Sequence, residues 1–350
     1  MSKGIKTYTL EEALEWDKIV CSFKNYDVYW LSGYVKAFRI HGDGEPLLFY
    51  YEDESCRGIN VVMKRDISID VLFKDKIDSG IYYDFSSPYG YGGWIIEGTT
   101  SSTLFLKYEE WCVNNNIVSE FVRFHPVLEN HEYSKKYYDV IPLGNTVTLD
   151  LSSPETIWAN ITSKNRNVIR KAQKNGIVIY NGRYPEIYDA FRNIYNGTMD
   201  KDDADEYYYF SSDFYKSICD NLPYNAQVFY AVLENKIIAA SIMLATNGKM
   251  NYHLSGSIRE YSTLAPTNLL LYEAALWGCA NGCKTLYLGG GVGSGEDGLF
   301  KLKKSFYRNE DLHRFYIGKK VLSQEKYDYL VGLRMKPIES NYFPAYRAEN

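Results

Sequence analysis

A chain of 350 residues with 45% apolar and 24% charged content has the make-up of an ordinary water-soluble globular protein and is long enough for two domains. A net charge of -5 and a pI near 5.7 exclude a dedicated nucleic-acid coat or a polybasic membrane anchor, while leaving room for local basic patches. No apolar run approaches the roughly twenty residues that span a bilayer, and the polar, helix-patterned start MSKGIKTYTLEEALEW does not read as a signal peptide.

The expected compartment is therefore the cytoplasm. Six cysteines at 21, 56, 112, 219, 279 and 283 form no C-x-x-C pair, and five dispersed histidines add no ligand cluster, so no metal site is expected. Thirty-four tyrosines fit either a low-GC coding bias or a carbohydrate-facing surface.

Taken in order, Leu10 to Cys21 and Trp30 to Phe38 read as helices, and Leu47 to Tyr51 and Gly58 to Met63 as strands around an acidic turn. A third strand, Ile81 to Phe85, enters the loop SSPYGYGGW; a helix from Ser102 to Asn114 and a strand from Ser119 to Phe124 follow. The later half repeats this order. Strands at Gln227 to Leu233, Ile237 to Ala245 and Lys249 to Ser255 lead through SIREYSTLAPT into a helix, Asn268 to Ala280. That helix stops at Asn281-Gly282, a left-handed cap, and the strand Thr285 to Leu288 closes the unit. A tryptophan stands late in each helix, at 111 and 277, and the repeated order implies an internal duplication of a β-β-β-loop-α-β unit.

Between the halves, Thr146 to Leu151 alternates as a strand and Ser153-Pro154 caps a helix. A second helix, Lys164 to Lys174, carries five cations, with Arg166 and Arg170 on one face. That face is either a solvated surface or a wall for a phosphorylated ligand. An acidic tract, Asp200 to Glu206, leads through four aromatic residues to a helix from Ser212 to Cys219.

After the strand at Leu288 come six glycines within ten residues, then a segment rich in lysine: GGGVGSGEDGLFKLKKSFYR. Gly293, Gly295 and Gly298 fit G-x-G-x-x-G, but they begin too far past the strand for a dinucleotide turn, and a phosphate loop is excluded because G-x-x-x-x-G-K-[ST] is absent. Glycines that let backbone amides approach a ligand, followed by Lys301, Lys303 and Lys304, suit an anion or a developing oxyanion; a mobile loop before a solvated basic helix is the plainer alternative.

Four segments resemble one known family. KNRNVIRKAQKNGIVI, the YGYGGW loop, the P-T-x-x-L-L-x-x-E-A helix start at Pro266 and the GGG to K-K-S-F run are similar, in order, to stretches of the Fem-type proteins, and together span roughly residues 80 to 310. The best-known members of that family are peptidoglycan-bridge aminoacyltransferases.

The resemblance implies an α+β fold of two GNAT-like (acetyltransferase-like) domains, here 1-145 and 146-350, with the transfer site in the second. It also aligns the family's Phe-Lys-x-Gly-Phe motif with Leu302 to Phe306. That makes Lys303 the cation at the transfer centre, with Lys301 as the competing register; Leu302 and Ser305 depart from the motif. Asp297 is the leading candidate base, with Glu296, His253 and Asp84 as others. Tyr89, Tyr91, Tyr252, His253, Arg166, Arg170 and Lys301 are the candidate substrate-binding residues.

The implied reaction moves an aminoacyl or acyl group to an amine of a cell-envelope precursor, UDP-linked or lipid-linked, with no tightly bound cofactor. The resemblance brings aminoacyl-tRNA as donor, and tRNA as a possible partner. The loop where GNAT enzymes hold the CoA pyrophosphate carries Arg259 and no glycine, which also weighs against acyl-CoA. An acyl-CoA-dependent acylation of a polysaccharide amino sugar and a non-catalytic carbohydrate- or peptide-binding module remain the alternatives.

Overall fold

The computed structural model describes residues 4-99, 101-334 and 342-348. Two compact units divide the chain: residues 1-143 with 315-350, and residues 144-314. The first unit opens with β1 (Gly4–Tyr8), α1 (Ala13–Cys21), α2 (Ser32–His41), β2 (Glu45–Glu52), β3 (Cys56–Asp66), β4 (Tyr83–Ser86) and β5 (Ile95–Gly98). It continues through α3 (Ser102–Asn114), β6 (Ile117–Arg123) and α4 (His131–Ser134).

The unit boundary falls within β7 (Asp139–Asp150). The second unit then holds α5 (Pro154–Asn160), α6 (Ser163–Lys174), β8 (Val178–Gly182), α7 (Pro185–Lys201) and α8 (Ser212–Asn221). A β-hairpin of β9 (Ala226–Leu233) and β10 (Lys236–Thr246) precedes β11 (Lys249–Ser257), α9 (Pro266–Ala280), β12 (Thr285–Gly289) and the short α10 (Gly298–Lys304). β13 (His313–Val321) and α11 (Gln324–Gly332) return the chain to the first unit.

Each unit is built on a mixed sheet. In the first, the order is β1-β2-β3-β4-β6-β13 with β5 also on β3, and β4 and β6 are parallel. In the second, the order is β7-β12-β11-β10-β9-β8, and β11 and β12 are parallel. The duplication read from the sequence is thus present as topology: an antiparallel hairpin, a third strand, a helix and a parallel return strand in each unit. Packing repeats with it. Trp111 of α3 meets Phe49 of β2 edge to face at 4.8 Å, and Trp277 of α9 meets Phe229 of β9 in the same way at 5.6 Å.

The expected division at 145/146 differs from the structure at the C-terminal end. Residues 315-350 belong to the first unit because β13 pairs antiparallel with β6, Ile317 opposite Arg123 through Val321 opposite Ser119. Tyr346, fully buried, joins Ile67, Phe73, Val118 and Leu330 in a small core. Pairing between residues two hundred positions apart leaves no local mark in a sequence. The helix α7 and strands β1, β5, β8 and β13 were likewise absent from the sequence reading.

In the second unit, α5, α6 and α9 bury Ile157, Ile161, Ile169, Leu269 and Leu270 against Val147, Leu149, Leu286 and Leu288 of the sheet. Helix α7 lies on β11 at Gly256, where an added Cβ would come within 2.8 Å of Ile194 O, so only glycine admits that approach. Gly282 has φ +80 and ends α9 as the left-handed cap the sequence signalled.

Candidate active site

The site follows from how β11 and β12 part company. They pair only from Lys249 opposite Thr285 to Asn251 opposite Tyr287. Beyond that point β11 stays with β10, across a register shift at Ile242/Met243, while Gly289 of β12 pairs with Val147 of β7. A gap therefore opens at the carboxyl ends of two parallel strands, where ligands sit in open α/β sheets.

Lys303 fills the base of this gap. Asp297 starts α10 as its N-cap, its Oδ1 accepting the Phe300 amide at 2.9 Å, and helical geometry turns Phe300 and Lys303 inward on one face. Lys303 is 7% exposed, and its Nζ donates to the Gly290 carbonyl at 2.6 Å. The ammonium lies 5.7 Å from the centroid of the Tyr252 ring on β11. Gly289, with φ +78, stands between Lys303 and Tyr287: a Cβ there would lie 3.6 Å from Lys303 Nζ and 3.9 Å from the Tyr287 hydroxyl.

Among the described residues Lys303 makes no ion pair with a carboxylate. Burial therefore dominates its titration, drawing the pKa from 10.5 to about 8, with only partial compensation from the Asp297 charge. A buried, unneutralised cation beside a backbone turn is a poor structural element and a good stabiliser of a developing oxyanion.

Of the other two lysines on this short helix, Lys301 is exposed, and Lys304 points the other way, donating to the carbonyls of Tyr307 and Asn309. The Tyr252 ring lies toward Lys303; desolvation raises its phenol pKa, with the nearby Ser255 and Ser241 hydroxyls opposing the rise. His253, its neighbour on β11, has a ring nitrogen with no solvent access, and desolvation lowers its imidazole pKa to about 3.

Other expectations need correction. Asp297 is not placed as a base: Oδ1 and Oδ2 take the amides of Phe300 and, at 3.3 Å, Val292, and these bonds hold its pKa below the ordinary carboxyl value. Asp84 belongs to the first unit and is fully buried in ion pairs with Arg65 at 2.8 Å and Arg347 at 2.6 Å. Glu296 is exposed on the loop.

Arg166 does not project as a cationic wall, because its Nη1 donates to the carbonyls of Trp158 at 3.3 Å and Ile161 at 3.1 Å and so pins the α5-α6 turn. Arg170 is exposed and stacks over the Trp158 ring at 5.1 Å. Tyr89 and Tyr91 lie in the first unit as packing residues, Tyr89 stacked on Phe38 at 5.4 Å and Tyr91 edge-on to Tyr29 at 5.3 Å. The sequence reading also missed Tyr287 and the Gly290 carbonyl, since a strand ending in glycine does not reveal where its neighbour departs.

A surface hollow of about 480 Å³ in the first unit, lined by Tyr51, Asp53, Ser55 and Lys107, contains no candidate residue. Its Asp53 is already committed to the Ser55 amide at 2.7 Å and the Tyr51 hydroxyl at 2.6 Å.

Residues 162-297 match the acetyltransferase (GNAT) domain profile, a span that covers α6 through β12 and ends just before α10. Over the whole chain the structure is similar to FemX, with 12% identity, 94% of this chain and 99% of FemX covered, and a TM-score of 0.65. A conserved protein of unknown function from Bacteroides thetaiotaomicron has 12% identity, with 91% and 99% of the two chains covered and a TM-score of 0.59. The C-terminal domain of a putative lysylphosphatidylglycerol synthetase from Agrobacterium fabrum has 13% identity, with 91% and 94% covered and a TM-score of 0.56. No curated protein sequence matches the chain.

Residues 162-297 thus carry a GNAT acetyltransferase domain match, and the topology above gives both units the same β-β-β-α-β arrangement. The fold of nearly the entire chain is the one that FemX adopts, in line with the Fem-type resemblance of the four sequence segments.

Proposed function

We propose that the second unit transfers an aminoacyl or acyl group to an amine of a cell-envelope precursor, a peptidoglycan stem peptide or a nucleotide-linked amino sugar, with aminoacyl-tRNA as donor. The observation that carries this reading is the Lys303 ammonium, buried without a carboxylate partner where β11 and β12 separate. An acceptor amine attacking an ester carbonyl needs alignment and a cation for the tetrahedral oxyanion. Lys303 supplies the cation, and Tyr252 and Tyr287 line its surroundings. With Asp297 capped and burial making His253 a weak base, the proton from the attacking amine passes to the leaving group or to solvent.

The Fem-type resemblance supports the envelope acceptor. For the donor, the segment between β11 and α9 is informative: Arg259–Leu264 form a tight 3-10 turn, Ala265 is left-handed at φ 54 ψ 49, and Pro266, first in α9, has no amide to offer a pyrophosphate. A second reading, with acyl-CoA as donor and a polysaccharide amino sugar as acceptor, is favoured by the GNAT domain match over residues 162-297. Among the described residues no helix is long and apolar enough to cross a membrane, and action on a cytoplasmic precursor is part of the proposal.

A thermal-shift series separates the readings, because a ligand of the native state raises the melting temperature. Stabilisation by UDP-MurNAc-peptide or UDP-amino sugars, and by tRNA rather than coenzyme A, is expected. Stabilisation by coenzyme A or acetyl-CoA would overturn the donor assignment in favour of the second reading. Silence toward every one of these ligands would count against both.

A further inference from the structure

The arrangement that lets Lys303 hold an oxyanion also leaves it open to attack the carbonyl itself. Its Nζ commits one hydrogen to the Gly290 carbonyl at 2.6 Å, and among the described residues no carboxylate pairs with it. Once the nitrogen is neutral, its lone pair is therefore not masked by a salt bridge, and it stands in the same gap between β11 and β12 that the acyl carbonyl would enter.

We propose that Lys303 is a self-acylation site: when an activated ester or thioester occupies this gap without an acceptor amine, Nζ takes the acyl group and the protein is switched off. This rests on reading the gap as the transfer site. The step balances without an oxidant or a reductant. The ammonium loses a proton to solvent; the Nζ lone pair forms an N–C bond to the carbonyl carbon; the carbonyl-to-oxygen or carbonyl-to-sulfur bond breaks. The leaving alkoxide or thiolate takes a second proton from nitrogen. The product amide has no charge, so it cannot stabilise an oxyanion, and its acyl group occupies the place of the next donor.

The groups facing Lys303 set when this happens. Asp297, at the start of α10, favours the ammonium; Tyr252 on β11 and Tyr287 on β12 present their rings, and Gly289 to Gly291 present backbone. Desolvation outweighs the aspartate, so with a pKa of about 8 the amine is about half neutral at pH 8, when an ordinary lysine is neutral to well under ~1%.

The test treats the full chain, with no acceptor, with p-nitrophenyl acetate, which needs no donor site, and separately with acetyl-CoA, from pH 7 to pH 9. Acetyl groups are located by peptide mass spectrometry. Lys303 should be acetylated roughly tenfold faster than the exposed Lys301 at pH 8, with a rate that climbs through that pH and then levels. Lys303→Arg should remove this label and Lys301→Arg should leave it in place, circular dichroism reporting that both fold.

Equal or faster labelling of Lys301 by p-nitrophenyl acetate would overturn the proposal. If transfer to an added amine proceeds while Lys303 is never acylated, self-acylation is wrong and the transfer reading stands. Selective labelling of Lys303 by the small ester with no transfer to any amine would uphold the reactive lysine and defeat the transferase reading. Saturable labelling by acetyl-CoA would support self-acylation and assign the donor as well.

Discussion

The two units repeat one topology and treat the same place in opposite ways. In the first unit the parallel pair β4 and β6 stays closed past its strand ends: the Ser87 amide reaches Phe121 O at 2.9 Å, and the Gly92 amide reaches Arg123 O at 2.8 Å. In the second unit the equivalent pair, β11 and β12, separates after Asn251 and Tyr287. Buried charge follows the same division. Asp84 on β4 is neutralised by Arg65 and Arg347 and also accepts from the Tyr346 hydroxyl at 3.0 Å, whereas Lys303 beside the open pair has one carbonyl partner. A satisfied buried ion is scaffolding, and an unsatisfied one costs stability that only a function repays.

The largest effect should come from breaking the satisfied cluster. Arg347→Ala leaves a fully buried carboxylate short of its closest cation and removes the bond to Asp70 as well, so a loss of ~3–5 kcal/mol is expected in urea unfolding. A loss below about 1 kcal/mol would show that Arg65 alone suffices. The pH dependence has a definite sign. Although burial opposes it, the two arginines hold the Asp84 pKa below its ordinary value, so its contribution is present above the unfolded carboxyl pKa and is lost as pH falls through the folded one.

The converse change sharpens the contrast. Lys303→Met should cut turnover by roughly 100- to 1000-fold, the usual range for losing one oxyanion contact, while making the fold more stable by ~1–3 kcal/mol. A lysine held at about 8 instead of 10.5 carries a cost of roughly 3 kcal/mol at neutral pH. That cost is complete below about pH 8 and fades as pH rises to the ordinary lysine value, so the stability gap between variant and parent should close between those limits. Turnover of the parent should fall over the same rise, as the ammonium is lost. A Met variant no more stable than the parent would mean that water or ligand satisfies the ammonium.

These contrasts bear on what a sequence can disclose. The duplicated order, the cap at Gly282 and the helix carrying Lys303 were all legible, because turn chemistry and short-range periodicity write them locally. The choice of Lys303 over Lys301 came from a motif resemblance and was ambiguous by two residues; what the sequence could not show is that one is buried and the other exposed. Nothing local distinguishes a strand pair that opens from one that stays closed, since both return strands, β6 and β12, are almost continuously buried. The neutralised cluster at Asp84 was invisible for a related reason, as its partner Arg347 lies at the far end of the chain. Arg166 misled because charge was read as surface, when its guanidinium serves two backbone carbonyls.

Arg166 and Arg170 share a helical face but should part in experiment. Arg166→Ala is expected to lower stability by about 1 kcal/mol with little dependence on salt, because it loses hydrogen bonds to the Trp158 and Ile161 carbonyls and no screened pair. Arg170→Ala, which loses only a stack on Trp158 and an exposed bond to Asn167, should be near neutral in stability. Of the two, only the Arg170 change should weaken binding of a diphosphate-bearing ligand in a salt-dependent way. Salt-dependent loss with Arg166→Ala would restore the wall that the sequence suggested.

The smallest effect tests whether the second unit's loop holds a base or a cap. Asp297→Asn keeps an oxygen for the Phe300 amide, and asparagine caps helices about as well as aspartate, so stability and turnover should both stay near those of the parent. Asp297→Ala removes the cap and should cost about 1 kcal/mol, with turnover falling only as far as the position of Lys303 loosens. A general base would behave differently, since Asn and Ala would then abolish turnover alike, whatever they did to stability. Equal and large losses of turnover in both variants would return Asp297 to the chemistry and leave α10 in need of another cap; a graded pair would confine the reacting groups to Lys303 and its tyrosine neighbours.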